Sequence, residues 1–196
     1  DVMQSMKAPL ISFEFFPPKT PEGIANLAVA ANHLAQLQPH FMSVTFGAGG
    51  STRSGTKDTV AMLANATGIS VAPHLSCVGS SRQELIDILA SYQTMGVKRL
   101  VALRGDMPSG MVNAGDLHYA SELVALIREQ TGNHFHIEVA AYPEFHPQAR
   151  NAADDVMNLK RKYEAGANSA ITQYFFNPDA YFYYLDDCAR LDIRLP

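Results

Sequence analysis

One carboxylate stands inside an apolar run near the start of the chain, Ile11-Ser12-Phe13-Glu14-Phe15-Phe16-Pro17-Pro18. A charge in such a setting is costly unless it is paired, hydrated or protonated. Desolvation raises a carboxyl pKa, and a raised pKa suits a general acid at neutral pH. The plainer reading makes Glu14 a strand-end residue paired with an Arg or Lys. On this stretch alone the two readings weigh equally.

Other apolar runs also end in groups able to do chemistry. They are Val44-Thr45-Phe46-Gly47-Ala48-Gly49-Gly50, Ala72-Pro73-His74-Leu75-Ser76-Cys77, Leu103-Arg104-Gly105-Asp106-Met107-Pro108, Ala140-Ala141-Tyr142-Pro143-Glu144-Phe145-His146-Pro147 and Ile171-Thr172-Gln173-Tyr174-Phe175-Phe176. Each has a bland alternative. His74 alone reads more often as a hydrogen-bonded core histidine than as a ligand. Gly47 to Gly50 could be a turn, since a lone Gly-rich loop is a weak phosphate signal. Arg104 and Asp106 could pair with each other. Asp155, Lys160, Arg161 and Lys162 are most simply a solvated helix face. His74, His136 and His146 raise the question of a metal, but the carboxylates form no facial set, so an organic cofactor ranks above a metal. What favours a site is recurrence: every run supplies a polar group at the same end.

The elements that would position these groups alternate. Strands are predicted at Leu10–Phe16, Phe41–Phe46, Ser70–Ser76, Arg99–Leu103, His136–Ala141 and Ser169–Phe175. Between them, Ile24, Leu27, Ala28, Ala31 and Leu34 share one helical face, as do Leu85, Ile86, Leu89 and Tyr92, and then Leu123, Val124, Leu126 and Ile127. A fifth helix runs from about Gln148 to Ala165 with Gly166 as its cap, and a sixth begins at Pro178. Alternation of this kind predicts a parallel sheet with right-handed crossovers. No Gly-x-Gly-x-x-Gly follows the first strand, so the expected fold class is an α/β (β/α)8 TIM barrel rather than a dinucleotide-binding sheet. Six units fit, and Asp192-Ile193-Arg194-Leu195-Pro196 looks like the opening of a seventh strand. The expectation is one catalytic barrel domain over 1–196, truncated before its seventh and eighth units.

The bulk numbers agree with an ordinary globular domain. The chain has 196 residues, is 47% hydrophobic and 17% charged, and carries a net charge of -4. Mild acidity without a basic run argues against nucleic acid. No apolar stretch reaches the length of a membrane span, and the N-terminus lacks a signal-peptide core. Cys77 and Cys188 lack metal-ligand spacing and read as free thiols in a reducing cytoplasm.

Six segments, taken together and in order, carry a resemblance. Phe13-Glu14-Phe15-Phe16-Pro17-Pro18, Ser43-Val44-Thr45-Phe46-Gly47-Ala48, Ala72-Pro73-His74-Leu75, Ala102-Leu103-Arg104-Gly105-Asp106, Ala141-Tyr142-Pro143-Glu144 and Ile171-Thr172-Gln173-Tyr174-Phe175-Phe176 resemble the bacterial methylenetetrahydrofolate reductases. The resemblance implies a flavin-bearing barrel in which FAD is reduced by NADH or NADPH. Hydride then passes to 5,10-methylenetetrahydrofolate in a ping-pong scheme, giving 5-methyltetrahydrofolate for methionine synthesis. It implies Glu14 as general acid and Asp106 as a catalytic carboxylate near flavin and pterin, with Gln173 and Thr45 also on the folate. It implies an FAD site at Thr45, Ala48, His74, Arg104, Gly105, Asp106, Tyr119, Ala120, Ala140, Tyr142, His146, Asp155, Asn158, Arg161 and Lys162, which reverses the bland reading of the fifth helix. Phe46 stands where the family commonly has Tyr. The resemblance further implies a cytoplasmic homo-oligomer. Two alternatives stand beside it: another FAD barrel oxidoreductase of the proline dehydrogenase kind, and a non-catalytic fragment that keeps the fold.

Overall fold

The computed structural model describes residues 9–46, 51–106, 112–144 and 151–196, with the backbone only for 51–54. Six strands alternate with six helices: β1 (Ser12–Phe15), α1 (Pro21–Ala35), β2 (Phe41–Val44), α2 (Ser51–Thr67), β3 (Val71–Ser76), α3 (Arg82–Thr94), β4 (Arg99–Leu103), α4 (Ala120–Thr131), β5 (His136–Ala141), α5 (Ala152–Ala165), β6 (Ser169–Thr172) and α6 (Pro178–Arg190). The strands pair in chain order, β1-β2-β3-β4-β5-β6, and every pairing is parallel. The result is a half-barrel, six of the eight units of a (β/α)8 fold.

The helix boundaries follow from local chemistry. Thr20 caps α1 by accepting a hydrogen bond from the Gly23 amide (3.0 Å), with Pro21 in the first turn. Ser81 and Glu84 form a reciprocal capping box on α3. Gly166 ends α5 at φ 117°, in the left-handed region that glycine tolerates. The predicted faces pack as expected. Leu123, Val124, Leu126 and Ile127 of α4 are fully buried, each contributing about 1.5–3 kcal/mol of burial. The face of α2 is less apolar: Thr56 and Thr59 are buried with Val60 and Leu63, and Thr56 Oγ1 donates to the Thr45 carbonyl (2.9 Å).

Two apolar clusters result. The larger lies between sheet and helices and includes Val44, Leu75, Ala102 and Val139. The smaller, Phe41, Ala72 and Val101 with Leu103, lies on the inner face of the sheet. At the N-terminal ends of the strands that inner face carries an ion pair between Arg99 and Glu138. The Arg99 guanidinium also sits 4.6 Å from the Phe41 ring centre and contacts His40 Nε2 at 3.1 Å. These charges neutralise one another at the floor, opposite the strand ends predicted to bear the site.

Several element boundaries differ from the sequence expectation. β1, β2 and β6 end sooner than predicted, at Phe15, Val44 and Thr172; beyond these ends the ladder runs out in isolated bonds, from the Thr45 amide to the Phe15 carbonyl (2.9 Å) and from the Gln173 amide to the Ala141 carbonyl (2.8 Å). α5 starts at Ala152, where Asn151 caps it. Asp192–Pro196 is not a strand; a single bond, from the Ala170 amide to the Pro196 carbonyl (3.1 Å), ties it to β6. Both cysteines are free and buried. Among the described residues no helix is long and apolar enough to cross a membrane.

Candidate active site

Parallel strands deliver their C-terminal ends to one rim, and the candidate residues gather there in two groups. The first surrounds a cavity of about 560 Å³ between the ends of β4 and β5 and helices α4 and α5. Arg104 enters from β4, Tyr119 and Ala120 from the start of α4, and Ala140 and Tyr142 from the end of β5. Asp155, Asn158, Arg161 and Lys162 enter from α5. These positions are one helical turn or so apart, which puts them on the same face. All nine of these were expected at an FAD site. Leu103, Ser121 and Asp154 line the cavity too, and the sequence reading missed them. Ser121 and Asp154 each adjoin an expected residue in the first turn of a helix, which is the signal that could have found them.

The electrostatics of this cavity centre on Lys162. Burial pushes its amine down to about 8, with Asp155 pulling the other way. The amine donates to the Ala140 carbonyl (2.8 Å) and lies 5.7 Å from the Tyr142 ring centre. Asp155 is itself buried, at 4% exposure. The solvated-face reading of α5 therefore fails at Asp155 and Lys162. Arg161 donates to Asn158 Oδ1 (2.7 Å), which holds the guanidinium on the same face. Burial raises the Tyr142 phenol, against which its hydrogen bond to Gln173 works; Asp155 and Asp106 raise it further. Tyr142 thus connects the cavity to Gln173 and Asp106, both exposed at the rim.

The turn after β4 is tightly specified. Gly105 has φ +82°, and a Cβ there would overlap Ser76 Oγ and approach Val78 Cγ1 at 2.8 Å. The Arg104 carbonyl accepts from Ser76 Oγ (2.8 Å) and from the Val78 amide (2.9 Å). Ser76 thus fixes the direction in which Arg104 and Asp106 leave the strand.

The second group lies on β1 to β3. His74 Nε2 is 3.3 Å from Glu14 Oε2; the histidine side chain is 10% exposed, the glutamate 55%. The separation is that of an ion-pair contact, and the histidine Nε2 is buried. The expectation of a desolvated Glu14 with a raised pKa is corrected here. The carboxyl is exposed, and its contact with the adjacent His74 holds it below the ordinary value, against the opposing effect of partial burial. Thr45 is half-buried beside this pair, its amide donating to the Phe15 carbonyl (2.9 Å). Ala48 and His146 lie outside the described residues. Among the described residues no cluster of three or more His, Cys, Asp or Glu could hold a metal.

A family model described as methylenetetrahydrofolate reductase matches residues 2–196. The chain belongs to the methylenetetrahydrofolate reductase family. It is 43% identical over 187 residues to the 5,10-methylenetetrahydrofolate reductases of Salmonella typhimurium LT2 and Escherichia coli K12, covering 94% of this chain and 62% of each relative. It is 35% identical over 200 residues to an Oryza sativa subsp. japonica protein named probable methylenetetrahydrofolate reductase (NADH), covering 95% of this chain and 34% of that one. The chain thus spans less than two thirds of the length of these reductases. Among solved structures, 2,3-dimethylmalate lyase superposes with a TM-score of 0.63 at 11% identity, covering 92% of this chain and 63% of the lyase. That likeness is one of fold alone, a barrel shared across different chemistries.

Proposed function

We propose that this chain holds the flavin site and part of the folate site of an enzyme that reduces 5,10-methylenetetrahydrofolate to 5-methyltetrahydrofolate with NADH or NADPH. The observation that carries the reading is the cavity lined by Lys162, Arg161, Arg104 and Tyr142 in a member of this family. Its volume falls within the range of cofactor pockets, about 300–1,000 Å³. Its donors fit an anionic, partly aromatic molecule: a withdrawn amine and two guanidinia for phosphate and ribose edges, a phenol for a ring. FAD has that chemistry, and when bound it accepts hydride from the nicotinamide and donates it to the folate.

The protein's own residues do the rest. Lys162 and Arg104 would neutralise the pyrophosphate of FAD. Asp106 accepts hydrogen bonds from N–H groups of the pterin, and its negative charge disfavours added electron density nearby. Gln173 hydrogen-bonds the folate through its amide, and Thr45 contacts cofactor and substrate. Glu14 delivers a proton to the bridged nitrogen, so that the five-membered ring opens to an iminium that accepts hydride. With FAD held there, the nicotinamide nucleotide and the folate would take turns at the site, in a ping-pong scheme. A cytoplasmic homo-oligomer belongs to this proposal.

The test is direct. The purified protein is expected to be yellow, to oxidise NADH with menadione as acceptor, and to reduce methylenetetrahydrofolate. Flavin and NADH oxidation without folate turnover would move the reading to another FAD barrel oxidoreductase. Absence of flavin binding would leave a non-catalytic member of the fold.

A further inference from the structure

We propose that Glu144 is a positioning residue: it fastens the turn that carries Gln173 to the turn that carries Tyr142, and so holds the folate-binding amide at the cofactor cavity. This deepens the reductase reading and rests on it. Tyr142, Pro143 and Glu144 follow the end of β5. Tyr142 lines the cavity, whereas Glu144 reaches across to the next unit. Its Oε1 accepts from the Asn177 amide (2.8 Å) and from the Phe176 amide (3.2 Å). Both amides lie in the stretch between the end of β6 at Thr172 and the start of α6 at Pro178. One oxygen atom therefore joins two neighbouring units of the half-barrel.

The other contacts of this stretch show what Glu144 holds in place. At its start, the Gln173 amide donates to the Ala141 carbonyl (2.8 Å), and the Gln173 side chain hydrogen-bonds the Tyr142 phenol. Alternation puts Gln173 on the face of Ser169 and Ile171, which Glu138 and Ala140 share in register on β5. At its end, Phe175 stacks on Tyr181 in the first turn of α6 (5.1 Å between ring centres, 9° between planes). Asn177 Oδ1 caps the same helix by accepting from the Asp179 amide (3.0 Å). Gln173 is thus tied to β5, while Phe175 and Asn177 are tied to α6. Glu144 binds the α6 end of the stretch back to the β5 unit. Gln173 is exposed at the rim, and an exposed glutamine has many rotamers to lose on binding. A clamp that fixes its backbone on both sides meets part of that cost before the substrate arrives. Among the described residues Glu144 does not line the cavity itself, so its influence falls on the folate side.

The experiment compares wild type, Glu144→Ala and Glu144→Gln by two readouts. Amide hydrogen exchange reads the clamp: residues 173–177 are expected to exchange faster in Glu144→Ala and at the wild-type rate in Glu144→Gln, whose amide oxygen can accept the same two bonds. Titration with methylenetetrahydrofolate and with FAD reads the consequence. In Glu144→Ala the folate Kd is expected to rise by about 10- to 100-fold, with the FAD Kd unchanged, and Glu144→Gln recovers the folate Kd. Since Gln173 is the group being placed, Glu144→Ala is expected to add little to the loss caused by Gln173→Ala. Glu144→Asp, one methylene short of the turn, repeats the test should the Ala variant not fold. An unchanged folate Kd in Glu144→Ala, or losses that add in full to those of Gln173→Ala, overturns the positioning role and spares the reductase reading. FAD and folate affinities that fall together reveal a general loosening of the rim and overturn it too. Faster exchange over 173–177, reversed by Gln, in a wild-type background that binds no folate overturns the reductase reading, and with it the role in placing Gln173.

Discussion

Lys162 offers a measurement that reads the site without any assay of turnover. Its amine is largely withdrawn from water and titrates near 8 instead of its ordinary 10.5. The folded state therefore binds fewer protons than the unfolded state between those two values. Below about 8 both states are protonated and the full cost of the buried charge is present. Above 10.5 both are neutral and the cost is gone. Stability contributed through this residue thus rises as pH climbs through that window. One pKa unit is worth 1.36 kcal/mol, so the rise is on the order of 3 kcal/mol. Urea unfolding of wild type and Lys162→Met at intervals from pH 7 to 10.5 isolates it, because tyrosines and other lysines titrate alike in both proteins. The difference between the two curves is expected to close by about 3 kcal/mol in favour of wild type across the window. An anion in the cavity would restore the amine's charge, so FAD binding near pH 9 is expected to take up protons in wild type and not in the variant. A wild-type-minus-variant difference that stays flat from pH 7 to 10.5 refutes the buried-amine account.

Further outcomes follow from the same geometry. Gly105→Ala combines a left-handed φ with overlap on Ser76 Oγ; urea melts are expected to show a loss of about 2–5 kcal/mol, part of which Ser76→Ala relieves. Arg128 donates to the carbonyls of Gly132 (3.0 Å), Phe135 (2.8 Å) and Gly166 (2.8 Å); Arg128→Ala leaves part-buried acceptors without partners and is expected to cost about 3 kcal/mol in the same melts. Glu14→Gln is expected to keep flavin and NADH oxidation but lose folate reduction by about 10²–10⁴-fold, as separate half-reaction rates would show. Asp106→Asn is expected to raise the folate Kd and the flavin midpoint potential together, read by titration and redox dye equilibration.

Much of this architecture could be read from residue order. The faces of α3 and α4 were legible because Leu85, Leu89, Leu123 and Ile127 repeat at helical spacing and all are buried. The face of α2 was not, because Thr56 and Thr59 occupy buried positions and the Thr56 hydroxyl is satisfied by the Thr45 carbonyl across the strand end. Strand lengths were overestimated at β1, β2 and β6 because an apolar run does not say where its neighbour stops. The rim residues were legible as a set, since parallel strands bring every C-terminal end to one side. Their grouping was not. That Lys162 points back to Ala140, and that Ser76 fixes the turn bearing Asp106, depends on contacts 22 and 28 residues apart along the chain.

Glu14 shows why the grouping escapes a linear reading. Its sequence neighbours Phe13 and Phe15 suggest a carboxyl embedded in aromatic rings, hence a raised pKa. In a strand, however, successive side chains leave on opposite faces. Phe15 packs towards the helices, against the main core, so it cannot desolvate the carboxyl beside it in sequence. The surroundings of Glu14 come instead from the adjoining strands, Ser43 in register on β2 and His74 one strand further. That face is open to water at Glu14 and closed at His74. The sign of the Glu14 shift is therefore decided by a histidine 60 residues away and not by the phenylalanines beside it.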